Sequence, residues 1–182
     1  DLLRGEGFTS VKYVMSADMG TAQWRDLATG EIHFSTAFSG PLLLRIDAQD
    51  PIVLLAGIHV GCFELFGTPR IRAVRDLKGK TVAVRALQSA GDVFVSAMAA
   101  HVGLDPRKDI AWAIHPPEEG KRLLAEGKVD AYIAFPPDPQ ELRANGIGHV
   151  VVNSAMDKPW SQYFCCTMVG NREFVRKHPV AT

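Results

Sequence analysis

Apolar positions along this chain switch repeatedly between a spacing of two, which suits strands, and a spacing of three to four, which suits helices. Val11, Tyr13 and Met15 alternate with their neighbours and predict a strand over 8–15. Trp24, Leu27 and Ala28 share one face of a short helix over 21–29, and Gly30 suits its C-terminal cap. A strand over 32–35 leads to Pro41, which suits the first turn of a helix carrying Leu42, Leu43, Leu44 and Ile46. The apolar run 51–58 reads as a strand buried on both faces.

The centre of the pattern is the polar turn 76–80, with Gly79 free to take a left-handed conformation, followed by the β-rich run 81–84. Small residues at 88–92 then open an apolar helix over 93–102. That order of strand, loop and helix start leaves backbone N–H groups available to a ligand. Gly103 and the Asp105-Pro106 pair end the helix. Beyond it the pattern predicts a strand over 110–114, a helix over 118–126 and a strand over 130–135. A stiff proline loop at 136–139, a helix over 140–144 and strands over 149–152 and 163–169 follow. Asn171 caps a last helix. Strands alternating with helices predict an α/β fold with mostly parallel sheets, one unit before the central turn and one after it. The opening residues read as the last turn of a helix, and the closing ones stop just after a helix begins. A fragment of a longer fold is therefore expected.

Composition narrows the function. The chain is 47% apolar and 22% charged, as ordinary globular domains are, and its 20 basic residues balance its 20 acidic ones. That balance, with no dense basic block, argues against a nucleic-acid or anionic-membrane surface as the main partner, and no apolar run approaches the roughly 20 residues of a membrane span. Three cysteines make no disulfide framework, although a bridge from Cys62 to one of the adjacent pair Cys165-Cys166 stays open. Neighbours in a strand face opposite ways, so Cys165 and Cys166 are not expected to share a metal. The six histidines show no ligand spacing, and only His59 falls in a pocket loop. No metal and no cofactor are expected.

Motifs for phosphate loops, serine-nucleophile elbows and zinc proteases are absent. The chemistry-bearing features are instead short loops at strand ends, around 35–40, 59–63, 87–91, 135–139 and 154–162, where open α/β sheets bind ligands. Gly61 there admits either a ligand or a bulge, and Phe135 either walls a pocket or fills a core. Trp160 and Tyr163 each combine an apolar body with a polar handle.

Several segments occur together in a familiar order: 24–34 (WRDLATGEIHF), Ser39-Gly40-Pro41, 76–84 (DLKGKTVAV), Gly103-Leu104-Asp105, 124–131 (LAEGKVDA) and 174–179 (FVRKHP). In this the chain resembles periplasmic solute-binding proteins of the nitrate/sulfonate/taurine-binding branch, which includes binders of thiamine pyrimidine precursors. The resemblance implies a type II periplasmic-binding fold of two α/β lobes around a cleft, incomplete at both ends. The lobes would be 1–77 plus 167–182, and 78–166, with the chain crossing near 66–78 and 160–170. It implies an extracytoplasmic, periplasmic component of an ABC importer, with a small-molecule ligand and a membrane permease as partners and no catalysis. Ser39, Gly40, Ser89 and Gly91 would contact the ligand, with an ordinary helix cap as the other reading of Ser89. The cysteine pair also resembles part of a cysteine-rich run in the fungal pyrimidine synthase of the same fold. An enzyme of that kind, or an effector-binding sensor domain, is the alternative function.

Overall fold

The computed structural model describes residues 2–14, 21–180 and 182. The elements run in chain order as α1 (Leu2–Gly5), α2 (Thr21–Thr29), β1 (Phe34–Phe38), α3 (Ser39–Asp47) and β2 (Ile52–Val60). Next come β3 (Glu64–Gly67), β4 (Lys80–Val84), α4 (Ala90–His101), β5 (Ile110–Ile114), α5 (Pro117–Ala125) and β6 (Ala131–Ala134). The chain closes with α6 (Asp138–Ala144), β7 (His149–Asn153), β8 (Phe164–Asn171) and α7 (Arg172–Lys177). The alternation at Val11 and Tyr13 builds no strand within 8–14, and Met15 lies outside the described residues. Tyr13 and Val14 are both exposed, so the pattern there has no face to bury.

Two sheets result. The first has the order β1-β8-β2, and the second β5-β4-β6-β3-β7. In the second, β4 is parallel to β5 and β6, while β3 is antiparallel to β6 and β7, so β3 alone runs against the other four. The first sheet departs from the expected parallel order. Both of its ladders are antiparallel, because β8 returns between β1 and β2.

Sheet membership also shifts the expected crossings. The chain leaves the first sheet at 61–63, not 66–78, and returns at 154–163 rather than 160–170. Leu65 and Phe66 read as the tail of the preceding apolar run, yet they pair with Ile133 and Tyr132 in the second sheet. Phe164 to Cys166 likewise pair within the first sheet.

Burial follows the strands of the second sheet, whereas β2, expected to be buried on both faces, leaves Leu54, Ile58 and Val60 exposed because one of its faces is uncovered. Val82 and Val84 face one core with Leu65, Val95 and Met98, and Ala83 faces another with Phe66, Tyr132 and Leu142. Covered on both faces, the Val82-Ala83-Val84 half of β4 is fully buried, and each valine contributes about 1.5–3 kcal/mol. The first sheet packs Ala37, Ile52 and Val169 against Trp24 and Leu27 of α2 and Leu42 of α3. Gly79, at φ +69°, turns the chain into β4 while its N–H donates to the Asp109 carbonyl at 2.6 Å.

Three polar devices fix the ends of these elements. The Asp76 carboxylate accepts from the backbone N–H groups of Arg72 and Ala73 at 2.8 and 2.9 Å, which holds its pKa below the ordinary value. Asn171, buried, caps α7 by accepting from Phe174 N–H at 2.9 Å and donates through Nδ2 to the Leu27 carbonyl at 2.9 Å. Lys121, also buried, reaches Glu118 at 2.8 Å, Asp138 at 3.2 Å and Glu141, while Tyr132 donates to Asp138.

Candidate functional site

Between the two sheets lies a cleft of about 210 Å³. Ser39, Gly40, Gly61, Trp160 and Tyr163, all expected at a ligand site, line it together. Ser89, Gly91 and Phe135 do not. The Ser89 hydroxyl accepts from Asp92 N–H at 3.4 Å as the cap of α4, and Gly91 is buried against Ile133. Phe135 sits in a run of rings instead, with its centroid 5.6 Å from both Phe38 and Phe63.

The cleft walls come from the elements that meet at the crossings. Phe38 ends β1, Phe63 ends the first crossing, and Phe94 stands in the second turn of α4, its ring edge-on to Trp160 at 5.5 Å. These three phenylalanines line the cleft; Phe38 and Phe63 fall in the strand-end loops 35–40 and 59–63, whereas nothing in the sequence marks Phe94. Phe38 carried a usable signal, since it immediately precedes the Ser39-Gly40-Pro41 segment. Among the described residues that line the cleft, none carries a charged side chain.

Two helices begin at this wall, with different chemistry. The start of α4 is already engaged: besides the Ser89 cap, the Asp92 carboxylate accepts from Gln88 N–H at 2.6 Å and puts negative charge there. The start of α3 has no side-chain cap, and no acid lies in its first turn. Its Ser39 hydroxyl donates to the Phe164 carbonyl at 2.7 Å, which ties the helix to the head of β8. An α-helix start without cap or acid favours negative charge.

The crossings touch closely. Gly61 takes φ +68°, and a β-carbon there would lie 2.3 Å from the Ala155 side chain and 2.5 Å from its Cα. That close approach of the two segments, with the positive φ, accounts for the glycine. Ser154, buried, accepts from the N–H groups of Cys62 and Phe63 at 3.0 and 2.9 Å and pins one crossing to the other.

Three thiols gather beside this contact. Cys62 Sγ lies 3.5 Å from Cys166 Sγ and 3.8 Å from His59 Nδ1, and Cys165 lines the cleft. Hydrogen bonding from Cys165, and less from Cys166, draws the Cys62 thiol down to about 6 against its burial, with the nearby His59 adding to the effect. Cys165 is pushed up by donating to Cys62, and Cys166 is pushed up to about 11, mainly by burial.

A second recess, of about 220 Å³, lies between α5 and α6 around Glu118, Lys121 and Glu141. Its carboxylates converge on Lys121, whose own pKa they raise, so it is a structural ion cluster.

Comparison with known proteins places this geometry in context. Residues 5–182 match the NMT1-like family. No curated protein sequence matches the chain. Among solved structures, the periplasmic sulfonate-binding protein SsuA from Methylobacillus flagellatus is 21% identical, with a TM-score of 0.73 over 98% of this chain and 54% of that one. SsuA from Escherichia coli, which binds aliphatic sulphonates, is 18% identical, with a TM-score of 0.70 over 87% and 54%. The nitrate-binding protein NrtA from Synechocystis is 16% identical, with a TM-score of 0.69 over 98% and 52%. The fold is that of periplasmic binding proteins, and the chain spans about half the length of these relatives.

Proposed function

We propose that this chain, which belongs to the NMT1-like family, is part of an extracytoplasmic solute-binding protein that delivers a small molecule to the permease of an ABC importer. The solute is a small organic anion of the sulfonate type, held between two lobes without chemical change. The two lobes comprise the β1-β8-β2 sheet with its helices and the five-stranded sheet with its own. Closure is a hinge movement at 61–63 and 154–163, where the chain exchanges sheets.

One observation carries this reading: α3 begins at the cleft wall with neither cap nor acid, opposite an apolar wall of Phe63, Phe94 and Trp160. An anionic head at the helix start and an organic tail on the rings would use both features. The solved relatives named for sulfonate and nitrate support the class. Nitrate has no tail with which to use the apolar wall. The chain's own site therefore favours an organic sulfonate over it.

The test is calorimetry on the full-length protein with an alkanesulfonate, taurine, nitrate and an aminopyrimidine, with Trp160 emission read in parallel. The sulfonates should bind one to one, tighter than nitrate, and Trp160→Ala should weaken them. Tighter binding of nitrate or of the neutral pyrimidine would overturn the ligand class. Failure of all four to bind or to alter Trp160 emission would overturn the site.

A further inference from the structure

We propose that His59, Cys62 and Cys166 form a binding site for a soft divalent metal ion, zinc in the first instance, at the point where the two crossing segments meet. The proposal is independent of the cleft and its solute. The candidate ligand atoms of these three residues all lie within 4.8 Å of one another. Two thiolates about 2.3 Å from a tetrahedral zinc lie about 3.8 Å apart, and a thiolate and an imidazole nitrogen lie about 3.5 Å apart. The observed separations, 3.5 Å between the sulfurs and 3.8 Å from Cys62 Sγ to His59 Nδ1, are of that size. Two thiolates and one imidazole also select a soft or borderline ion over calcium or magnesium.

The fold builds this group from residues about a hundred positions apart. His59 pairs with Cys166 in the β2–β8 ladder, and the register is irregular on either side of His59. Irregularities of this kind re-aim side chains. The left-handed backbone at Gly61 then turns the chain so that Cys62 Sγ comes within reach of both. His59 is exposed, and its Nδ1 lies 3.3 Å from its neighbour's carbonyl at Val60. Rotation toward a metal gives up only that contact. The other compact group, Glu118, Asp138 and Glu141, has Lys121 in its midst and carries no such site. Cys165 is not a member of the triad, so the adjacent cysteines do not chelate as a pair. Cys166 reaches instead for Cys62.

A metal here would join the end of the strand leaving the first sheet to the start of the strand returning to it. The test uses the purified protein, reduced with a phosphine and stripped with a chelator, then titrated with zinc and with cobalt(II). One equivalent should bind, with thiolate-to-cobalt charge-transfer absorption and a melting temperature that rises with zinc concentration. His59→Ala, Cys62→Ser and Cys166→Ser should each lose about tenfold or more in affinity, while Cys165→Ser keeps it. Where a variant fails to fold by circular dichroism, the unmodified protein supplies the answer: zinc should slow alkylation of Cys62 and Cys166, as mapped by mass spectrometry. No zinc uptake by the reduced, folded protein, uptake that the three variants retain, or alkylation indifferent to zinc would overturn the site.

Discussion

Gly40 and Val93 meet where α3 faces α4, and a β-carbon on Gly40 would come within 2.8 Å of Val93 Cγ1. The contact sits on the cleft wall and joins the two halves of the molecule. Gly40→Val should therefore force the helices apart, at about 1–3 kcal/mol of overpacking. Better helix propensity cannot offset this, since valine is itself a poor helix former. Urea denaturation reads the cost, and an unchanged midpoint would show that the helices have room to spare.

Asn171 performs two tasks with one amide. Asn171→Ala removes the cap of α7 and leaves the Leu27 carbonyl without its Nδ2 donor, a loss of about 2–4 kcal/mol for both. Asn171→Asp keeps an acceptor for Phe174 but loses the donor, so it should fall between wild type and alanine. Equal stability of the Asp and Ala variants, by urea denaturation, would mean that the link to Leu27 carries the whole effect.

Lys121→Met should destabilise by about 2–3 kcal/mol, because it strands the Asp138 carboxylate, buried, with only Tyr132 donating to it. The exposed side chains of Glu118 and Glu141 let water soften the loss. Adding Asp138→Asn to the variant should recover part of the stability. A double variant no better than the single one would remove the stranded charge as the cause.

Acid stability should depend on Asp76. Its folded pKa is depressed by two backbone N–H donors, so its contribution is complete above the unfolded carboxylate value, about pH 4, and is lost as pH falls through the lower folded value. Asp76→Asn should be less stable at neutral pH, with the difference from wild type shrinking below about pH 4. Urea midpoints across the acid range test this, and a difference independent of pH would rule out ionisation as the source.

Much of the fold is legible in the sequence wherever a local signal coincides with a buried face. The strand over 110–114 and the Asn171 cap are written in periodicity and capping chemistry, and both stand as read. Helix α4 begins three residues earlier than its apolar pattern, because Ser89 supplies the cap and Asp92 the first-turn acid, while Gly91 and Asp92 interrupt the apolar spacing. Strand β3 is four residues long and follows the apolar run with only a short break, so nothing local marks its move to the other sheet. The cleft was half legible. Strand-end logic finds Ser39, Trp160 and the loop holding Phe63, but Phe94 reaches the cavity only through tertiary packing. The grouping of Cys62 with Cys166 depends on the register of β2 against β8, which no window of sequence contains.

The position of β8 bears on how the protein is made. Every ladder of the first sheet runs through this one strand, and β1 and β2 do not pair with each other. The second sheet, by contrast, is assembled wholly from residues 64–153. On a ribosome the five-stranded sheet can therefore close first. The three-stranded one waits, its β1 and β2 edges open, until residue 171 has cleared the exit tunnel. For that interval the nascent chain carries two unsatisfied strands. Codon-level pauses or a holding chaperone would matter most once Asn153 has been translated.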